Sequence, residues 1–104
     1  MLLDFTGSDW CIWCTRLKQE IFSKPEFAEY AKKNLVLVEV DFPRKKQMSE
    51  QQKQANRALA EKHQIKGYPT LIILDSAGEK LGTLGYMRGG PGPFIAELAK
   101  LKSK

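Results

Sequence analysis

Cysteine and histidine are scarce in this chain, and long hydrophobic runs are missing. Its 104 residues include two cysteines and one histidine, which is too few soft ligands for a four-ligand structural zinc site. No apolar stretch approaches the roughly 18 residues that a membrane-spanning helix needs, so membrane insertion is not expected. Internal repeats and low-complexity linkers are also missing, which predicts one domain over residues 1–104.

Basic residues exceed acidic ones, 17 to 12, and give a net charge of +5. The densest basic run, Arg44-Lys45-Lys46, follows Pro43 in a polar stretch and is typical of a solvated loop. A nucleic-acid surface would interleave basic residues with stacking aromatics, and this pattern is missing, so no nucleic-acid partner is expected. The surplus charge would steer acidic protein substrates, though weakly at physiological salt.

The chain begins with an apolar run that reads as a core strand. Met1-Leu2-Leu3 is too short for a signal peptide and lacks its basic start. We therefore expect that an upstream segment, able to carry a targeting signal, precedes these residues. The lack of a visible signal does not by itself place the protein in the cytosol.

Hydrophobic periodicity and turn signals predict an α/β fold of the order β-α-β-α-β-β-α. The predicted strands are 2–6, 35–40, 70–74 and 79–86, and the predicted helical segments are 11–22, 25–33, 49–63 and 93–101. The first two strands should be parallel, and the last two should form an antiparallel hairpin. This order gives a four-stranded mixed sheet, 2-1-3-4, with helices on both faces.

Three details of these elements follow from local signals. Strand 35–40 is almost continuously apolar, which predicts an interior strand. Asn34 is a candidate C-cap for the helix before it. Ser49 and Gln52 form a capping-box signal for helix 49–63, whose buried contacts should be Ala55, Ala58 and Leu59.

The two cysteines lie three positions apart, as Cys11 and Cys14, between a predicted strand and a predicted helix. At a helix N-terminus, unpaired N–H groups and the helix dipole stabilise a thiolate, the reactive form of cysteine. Cys11 should be the exposed nucleophile, and Cys14, one turn into the helix, should resolve the mixed disulfide. A structural disulfide and a zinc half-site remain alternatives, although so short a loop gains little from a cross-link.

Two further signals accompany the cysteines: Gly67-Tyr68-Pro69-Thr70 opens the third strand, and Gly85 closes the hairpin. With the run 10–14, they make almost the entire chain resemble the thioredoxin superfamily. The segments 5–11, 38–43 and 89–91 are similar to a bacterial extracytoplasmic branch, the Dsb-type thiol–disulfide oxidoreductases.

The resemblance implies roles for residues beyond the cysteines. Pro69 would be a cis-proline beside the cysteine pair, leaving the backbone of Tyr68 free to pair with an extended substrate segment; a strand-initiating proline is the alternative. Trp10 and Trp13 flank the nucleophile and are candidates for substrate binding or for packing, with Trp13 the more exposed.

Asp4 lies seven residues before Cys11 in an otherwise apolar strand, where burial should raise its pKa. The resemblance implies that Asp4 is a general base for Cys14, and an ordinary polar strand residue is the alternative. The chain departs from the thioredoxin pattern here, since one extra residue separates Asp4 from the cysteines. Strand 35–40 also offers no lysine partner.

We therefore expect a thiol–disulfide reductase or isomerase that needs no cofactor beyond its own dithiol. Its partners would be proteins with disulfides or thiols and an upstream electron donor, and the chain would act as a monomer. The dipeptide between the cysteines predicts a potential of roughly −180 to −270 mV. An extracytoplasmic, periplasmic location is favoured, with the cytoplasm as the alternative. A carrier of Cu(I) or zinc and a redox-inactive interaction domain are the competing classes.

Overall fold

The computed structural model describes residues 1–103 and consists of a central sheet with helices on both of its faces. The strands are β1 (Leu2–Thr6), β2 (Leu37–Asp41), β3 (Thr70–Leu74) and β4 (Lys80–Leu84). The helices are α1 (Ile12–Leu17), α2 (Pro25–Asn34), α3 (Glu50–Lys62) and α4 (Pro91–Lys102). Among the described residues, no helix has the length and apolar character needed to cross a membrane.

The sheet has the predicted order β2-β1-β3-β4. β1 is parallel to β2 and antiparallel to β3, and β3 and β4 form the predicted antiparallel hairpin. The register places Asp4 of β1 opposite Glu39 of β2. The predicted mixed α/β topology is therefore confirmed.

Alternation along the strands divides the buried side chains between two cores. One core lies under α1, α2 and α4, and the other lies under α3. The first contains Leu2, Leu17, Ile21, Phe27, Leu71, Ile73, Phe94 and Leu98, and the second contains Leu3, Phe5, Val40 and Ile72. The even-numbered positions of β1 therefore face α1, and this parity brings Asp4 to the same side of the sheet as the cysteines.

Strand β2 is an edge strand, so the predicted interior strand 35–40 is wrong. Val36 is 61% exposed and Leu37 is 46% exposed, whereas Val40 is buried. The apolar run therefore overstated burial, because the free edge of the sheet leaves its first half open to solvent. The strand also begins and ends later than predicted, at Leu37 and Asp41.

Helix α3 begins as predicted, and of its three expected buried contacts only Leu59 packs against the core. Ser49 Oγ accepts a hydrogen bond from the Gln52 backbone N–H at 3.1 Å, so Ser49 is the N-cap. The expected contacts Ala55 and Ala58 are exposed, while Asn56 is buried. Asn56 is buried because its side-chain amide donates a hydrogen bond to the Asp41 carbonyl oxygen at 2.9 Å. This bond holds the Asn56 face of the helix towards the end of β2.

Other boundaries also differ from the predictions, and the strand predicted over 79–86 spans only Lys80–Leu84. The segment 11–22 is α-helical only to Leu17 and continues as a π-helix over Lys18–Phe22, closed by a hydrogen bond from the Ser23 N–H to the Lys18 carbonyl at 2.8 Å. Asn34 is the last residue of α2 rather than its C-cap. The final helix begins at Pro91, two residues earlier than predicted, because a proline is accommodated in the first turn of a helix.

Candidate active site

Cys11 is the N-cap of α1, as the sequence predicts. After β1 the backbone forms a turn in which the Gly7 carbonyl oxygen accepts a hydrogen bond from the Cys11 N–H at 2.9 Å. A side chain at Gly7 would overlap the Trp10 ring, so this turn requires glycine. Cys11 Sγ in turn accepts a hydrogen bond from the Cys14 backbone N–H at 3.2 Å. That N–H is one of the unpaired donors of the first helical turn, and it would stabilise a thiolate on Cys11.

Cys11 and Cys14 form a disulfide with their Cα atoms 5.2 Å apart. The expectation that Cys11 is exposed is wrong for this oxidised form, because Cys11 and Cys14 are only 7% and 6% exposed. The dipeptide between them takes the exposed positions instead, Ile12 at 65% and Trp13 at 44%. Exposure therefore does not distinguish the two cysteines, and what distinguishes Cys11 is its position as the helix N-cap.

A cleft of about 510 Å³ opens between α1 and the β2 edge of the sheet, and both Asp4 and Cys14 line it. Asp4 is largely buried, and its Oδ1 has no hydrogen-bond partner among the described residues. Desolvation by burial raises the pKa of Asp4 to about 7, and the nearby charges of Glu39 and Asp41 act in the same direction. The cleft thus holds a carboxyl group that can exchange a proton near neutral pH, on the same side of the sheet as Cys14.

Trp10 is held in place by polar and aromatic contacts. Its indole Nε1–H donates to the Phe42 carbonyl oxygen at 2.6 Å, and its ring lies edge-on to Tyr68 with 5.5 Å between centroids. Phe42 also contacts Tyr68, at 5.6 Å. Trp10 and Tyr68 are both half-buried. The packing alternative for Trp10 therefore has direct structural support.

Trp13 belongs to a second group of side chains, with Tyr86, Arg16 and Glu20. Its ring contacts Tyr86 at 5.1 Å between centroids, and the Arg16 guanidinium lies 5.1 Å from the centre of the Trp13 ring. Glu20 accepts hydrogen bonds from both Tyr86 and Arg16, which lower the pKa of its carboxyl group. Trp13 is therefore an exposed aromatic side chain whose ring packs against Tyr86 and Arg16, and both of these residues are hydrogen-bonded to Glu20.

The Tyr68–Pro69 peptide bond is cis, as the resemblance implies. Strand β3 begins directly after it at Thr70, whose hydroxyl donates to the Gly67 carbonyl oxygen at 2.6 Å. Tyr68 is thus outside the β3 ladder, and its ring contacts the ring of Trp10.

Comparison with known proteins agrees with this geometry. The family model for a thioredoxin-like domain matches residues 1–102. The chain belongs to the thioredoxin-like family. Among curated relatives it is similar to the disulfide bond reductase DsbH of Chlamydia pneumoniae, with 38% identity over 96 residues, which are 92% of this chain and 58% of DsbH. It is also similar to the thioredoxin-related protein DsbJ of the same organism, with 31% identity over 85 residues, or 82% of this chain and 24% of DsbJ.

A solved structure of a DsbH oxidoreductase superposes with a TM-score of 0.94 at 35% identity, covering 98% of this chain and 71% of that chain. The chain therefore spans only part of each of these relatives, little more than half of the curated DsbH sequence. These similarities confirm the Dsb-type thioredoxin-like resemblance and its fold.

Within this thioredoxin-like site, Glu39 is a residue that sequence reasoning missed. It lies opposite Asp4 across the parallel pair and lines the same cleft. The sequence alone showed that no lysine was present in strand 35–40, but the register was needed to show that a carboxylate occupies this place. The Glu20–Tyr86 contact, between residues 66 positions apart, was equally invisible to local patterns.

No metal-binding cluster of three or more His, Cys, Asp or Glu side chains lies within residues 1–103.

Proposed function

We propose that this thioredoxin-like chain is a thiol–disulfide oxidoreductase that reduces or isomerises disulfides in proteins. The observation that carries the proposal is the Cys11–Cys14 disulfide at the N-terminus of α1, with Cys14 and the buried Asp4 lining one cleft. The similarity to a disulfide bond reductase over 92% of the chain supports the same reaction.

Reduced Cys11 would begin the reaction as a thiolate, stabilised by the Cys14 N–H and the helix dipole. The thiolate attacks one sulfur of the substrate disulfide. The substrate S–S bond breaks, its other sulfur leaves as a thiolate that takes a proton, and a mixed disulfide joins Cys11 to the substrate. Approach would occur past Ile12 and Trp13, since these side chains are exposed and Cys11 itself is not.

Cys14 would complete the reaction. The Asp4 carboxylate accepts the proton of the Cys14 thiol through the cleft that both residues line. The Cys14 thiolate then attacks Cys11 Sγ, which releases the second substrate sulfur and leaves the Cys11–Cys14 disulfide. Two electrons have passed to the substrate, and a separate dithiol donor must return them.

Substrate would bind along the residues that surround the cysteine pair. The Tyr68 backbone, outside the β3 ladder and next to the cis-proline Pro69, suits pairing with an extended peptide. Trp13 supplies an exposed aromatic surface. Trp10 acts mainly through packing, because its Nε1–H and its ring are already engaged.

We place the activity outside the cytosol, in the periplasm, where protein disulfides form and persist. The similarity to Dsb proteins supports this assignment. Alkylation of cell fractions, which separates reduced from oxidised protein by mass, would reveal both its compartment and its redox state.

Trapping of mixed disulfides tests the proposed function. The Cys14→Ser variant should accumulate mixed disulfides with protein substrates, since Cys11 still attacks and nothing resolves the product. The Cys11→Ser variant is the matched control and should trap almost nothing. Equal trapping by both variants on a non-reducing gel would contradict the assigned order of the cysteines.

Insulin reduction by the parent protein provides the second measurement. Absence of insulin reduction together with tight one-to-one copper binding by the reduced protein would favour the metal-carrier class instead.

A further inference from the structure

The loop that follows β2 is fastened to the residues that precede Cys11. The Asp9 carboxylate accepts the backbone N–H groups of Arg44 at 2.9 Å and Lys45 at 2.8 Å. Trp10 Nε1 donates to the carbonyl oxygen of Phe42, at 2.6 Å, in the same loop. These three hydrogen bonds hold residues 42–45 against Asp9 and Trp10, which precede Cys11 by two positions and one position.

Two cationic side chains project from this loop. The guanidinium carbon of Arg44 lies 4.1 Å from the centre of the Trp10 ring, a stacked position that leaves its N–H edges available. Arg44 and Lys45 are both exposed. Within residues 1–103, neither side chain forms an ion pair, whereas Lys46 pairs with Asp41 at 3.4 Å.

A small cavity continues the loop towards α3. It has a volume of about 170 Å³ and is lined by Asp41, Phe42, Pro43, Met48, Lys53 and Arg57. Its apolar lining comes from the loop, and its two cations come from α3. Lys53 is partly neutralised by Glu50 at 3.6 Å, and Arg57 has no ion pair within the described part of the chain.

Asp9 and Asp41 both accept hydrogen bonds from within the protein, and Glu50 is an exposed carboxylate beside Lys53. Asp9 binds the two loop amides, and Asp41 accepts the Ser8 N–H at 2.9 Å and the Ser8 hydroxyl at 2.5 Å. Hydrogen bonds from the loop backbone lower the pKa of Asp9, so it stays ionised and keeps holding the loop. The groups left for a partner are therefore mostly positive.

We propose that Arg44, Lys45, Lys53 and Arg57 form a cationic surface that docks an acidic segment of the partner protein and presents its cysteine to Cys11. This inference rests on the proposed function and names the class of partner. An acidic segment fits because the surface is positive, and an apolar side chain within that segment fits the cavity beside it. Because loop 42–45 is hydrogen-bonded to Asp9 and Trp10, the docked segment would lie at a fixed distance from Cys11.

Single-turnover reduction of two matched peptides tests the proposal. Both peptides contain one disulfide and an apolar residue; one has glutamates beside its cysteine, and the other has glutamines. Reduced protein freed of reductant supplies two electrons to either peptide. At low salt the parent should reduce the acidic peptide about tenfold more efficiently, and the preference should fall towards equality at high salt.

Charge variants locate the effect. Arg44→Glu with Lys45→Glu should abolish or reverse the preference, and the milder pair Arg44→Gln with Lys45→Gln should reduce it. The control, Lys32→Glu with Lys33→Glu, changes the net charge equally on exposed residues at the end of α2, at the opposite end of the sheet from Cys11. It should keep the preference.

Each outcome decides between distinct conclusions. Equal reduction of both peptides by the parent would overturn the docking surface and leave the proposed function in place. Loss of the preference in the control pair as well would assign it to net charge alone and would also overturn the surface. Failure to reduce either peptide would overturn the proposed function and the docking surface with it.

Discussion

Replacing Asp4 with asparagine should stabilise the oxidised protein by an amount that grows with pH. In the folded protein the Asp4 carboxyl is desolvated, and its pKa rises from 3.8 to about 7. In the unfolded chain the same group regains its ordinary pKa. The folded state therefore favours the protonated form, and ionisation of Asp4 works against folding.

The sign and size follow from proton linkage. Below pH 4 Asp4 is protonated in both states, so its full contribution to stability is present. Between pH 4 and 7 the unfolded chain loses this proton first, and the free energy of unfolding falls by about 1.4 kcal/mol per pH unit. Above pH 7 the loss is constant at about 4 kcal/mol. From pH 5 to pH 8 the Asp4→Asn variant should thus gain about 2.7 kcal/mol relative to the parent.

The assay is urea denaturation of oxidised parent and variant at pH 5 and pH 8, because the disulfide prevents the cysteines from titrating. The cost of placing an amide in the cleft is the same at both pH values and cancels in the difference. Glu79→Gln, which removes one carboxylate from an exposed position before β4, is the control for the loss of one negative charge. An equal effect of Asp4→Asn at both pH values would refute the reasoning.

Glu39→Gln provides an independent check of the same electrostatics. Glu39 faces Asp4 across the strand pair, and its charge is the second cause of the raised pKa. Removing that charge should lower the pKa of Asp4 and move the stability transition to lower pH. A transition that stays in place would mean that desolvation alone sets the proton affinity of Asp4.

Two further predictions concern the cysteines and the core. In the reduced protein, limited iodoacetamide should label Cys11 before Cys14, because only Cys11 caps the helix; mass spectrometry that finds Cys14 labelled first would contradict this order. Gly82→Ala should destabilise the fold by about 1–3 kcal/mol, since its Cβ would lie 2.6 Å from Leu101 Cδ2. Gly92→Ala, whose Cβ meets nothing within 4 Å, should change the denaturation midpoint little by comparison.

The sequence by itself determined the element order, the sheet topology and the cysteine pair at a helix start. These features depend on local properties: alternation along strands, turn residues, and the spacing of Cys11 and Cys14. Local patterns failed where burial depends on neighbours distant in sequence. The apolar run that becomes β2 was expected to be buried along its length, although the predicted sheet order 2-1-3-4 already placed it at an edge. The alanines of α3 gave no sign that Asn56 would take the buried place.

Only the tertiary structure decided the surroundings of Asp4, the exposure of the cysteines and the position of Arg44. Parallel pairing places Glu39 opposite Asp4, and the cleft brings Asp4 and Cys14 to one surface. The folded chain also buries Cys11 as deeply as Cys14 and fastens Arg44 above Trp10. A pKa and a docking surface depend on desolvation and on distances between charges, and these exist only once separate segments have packed together.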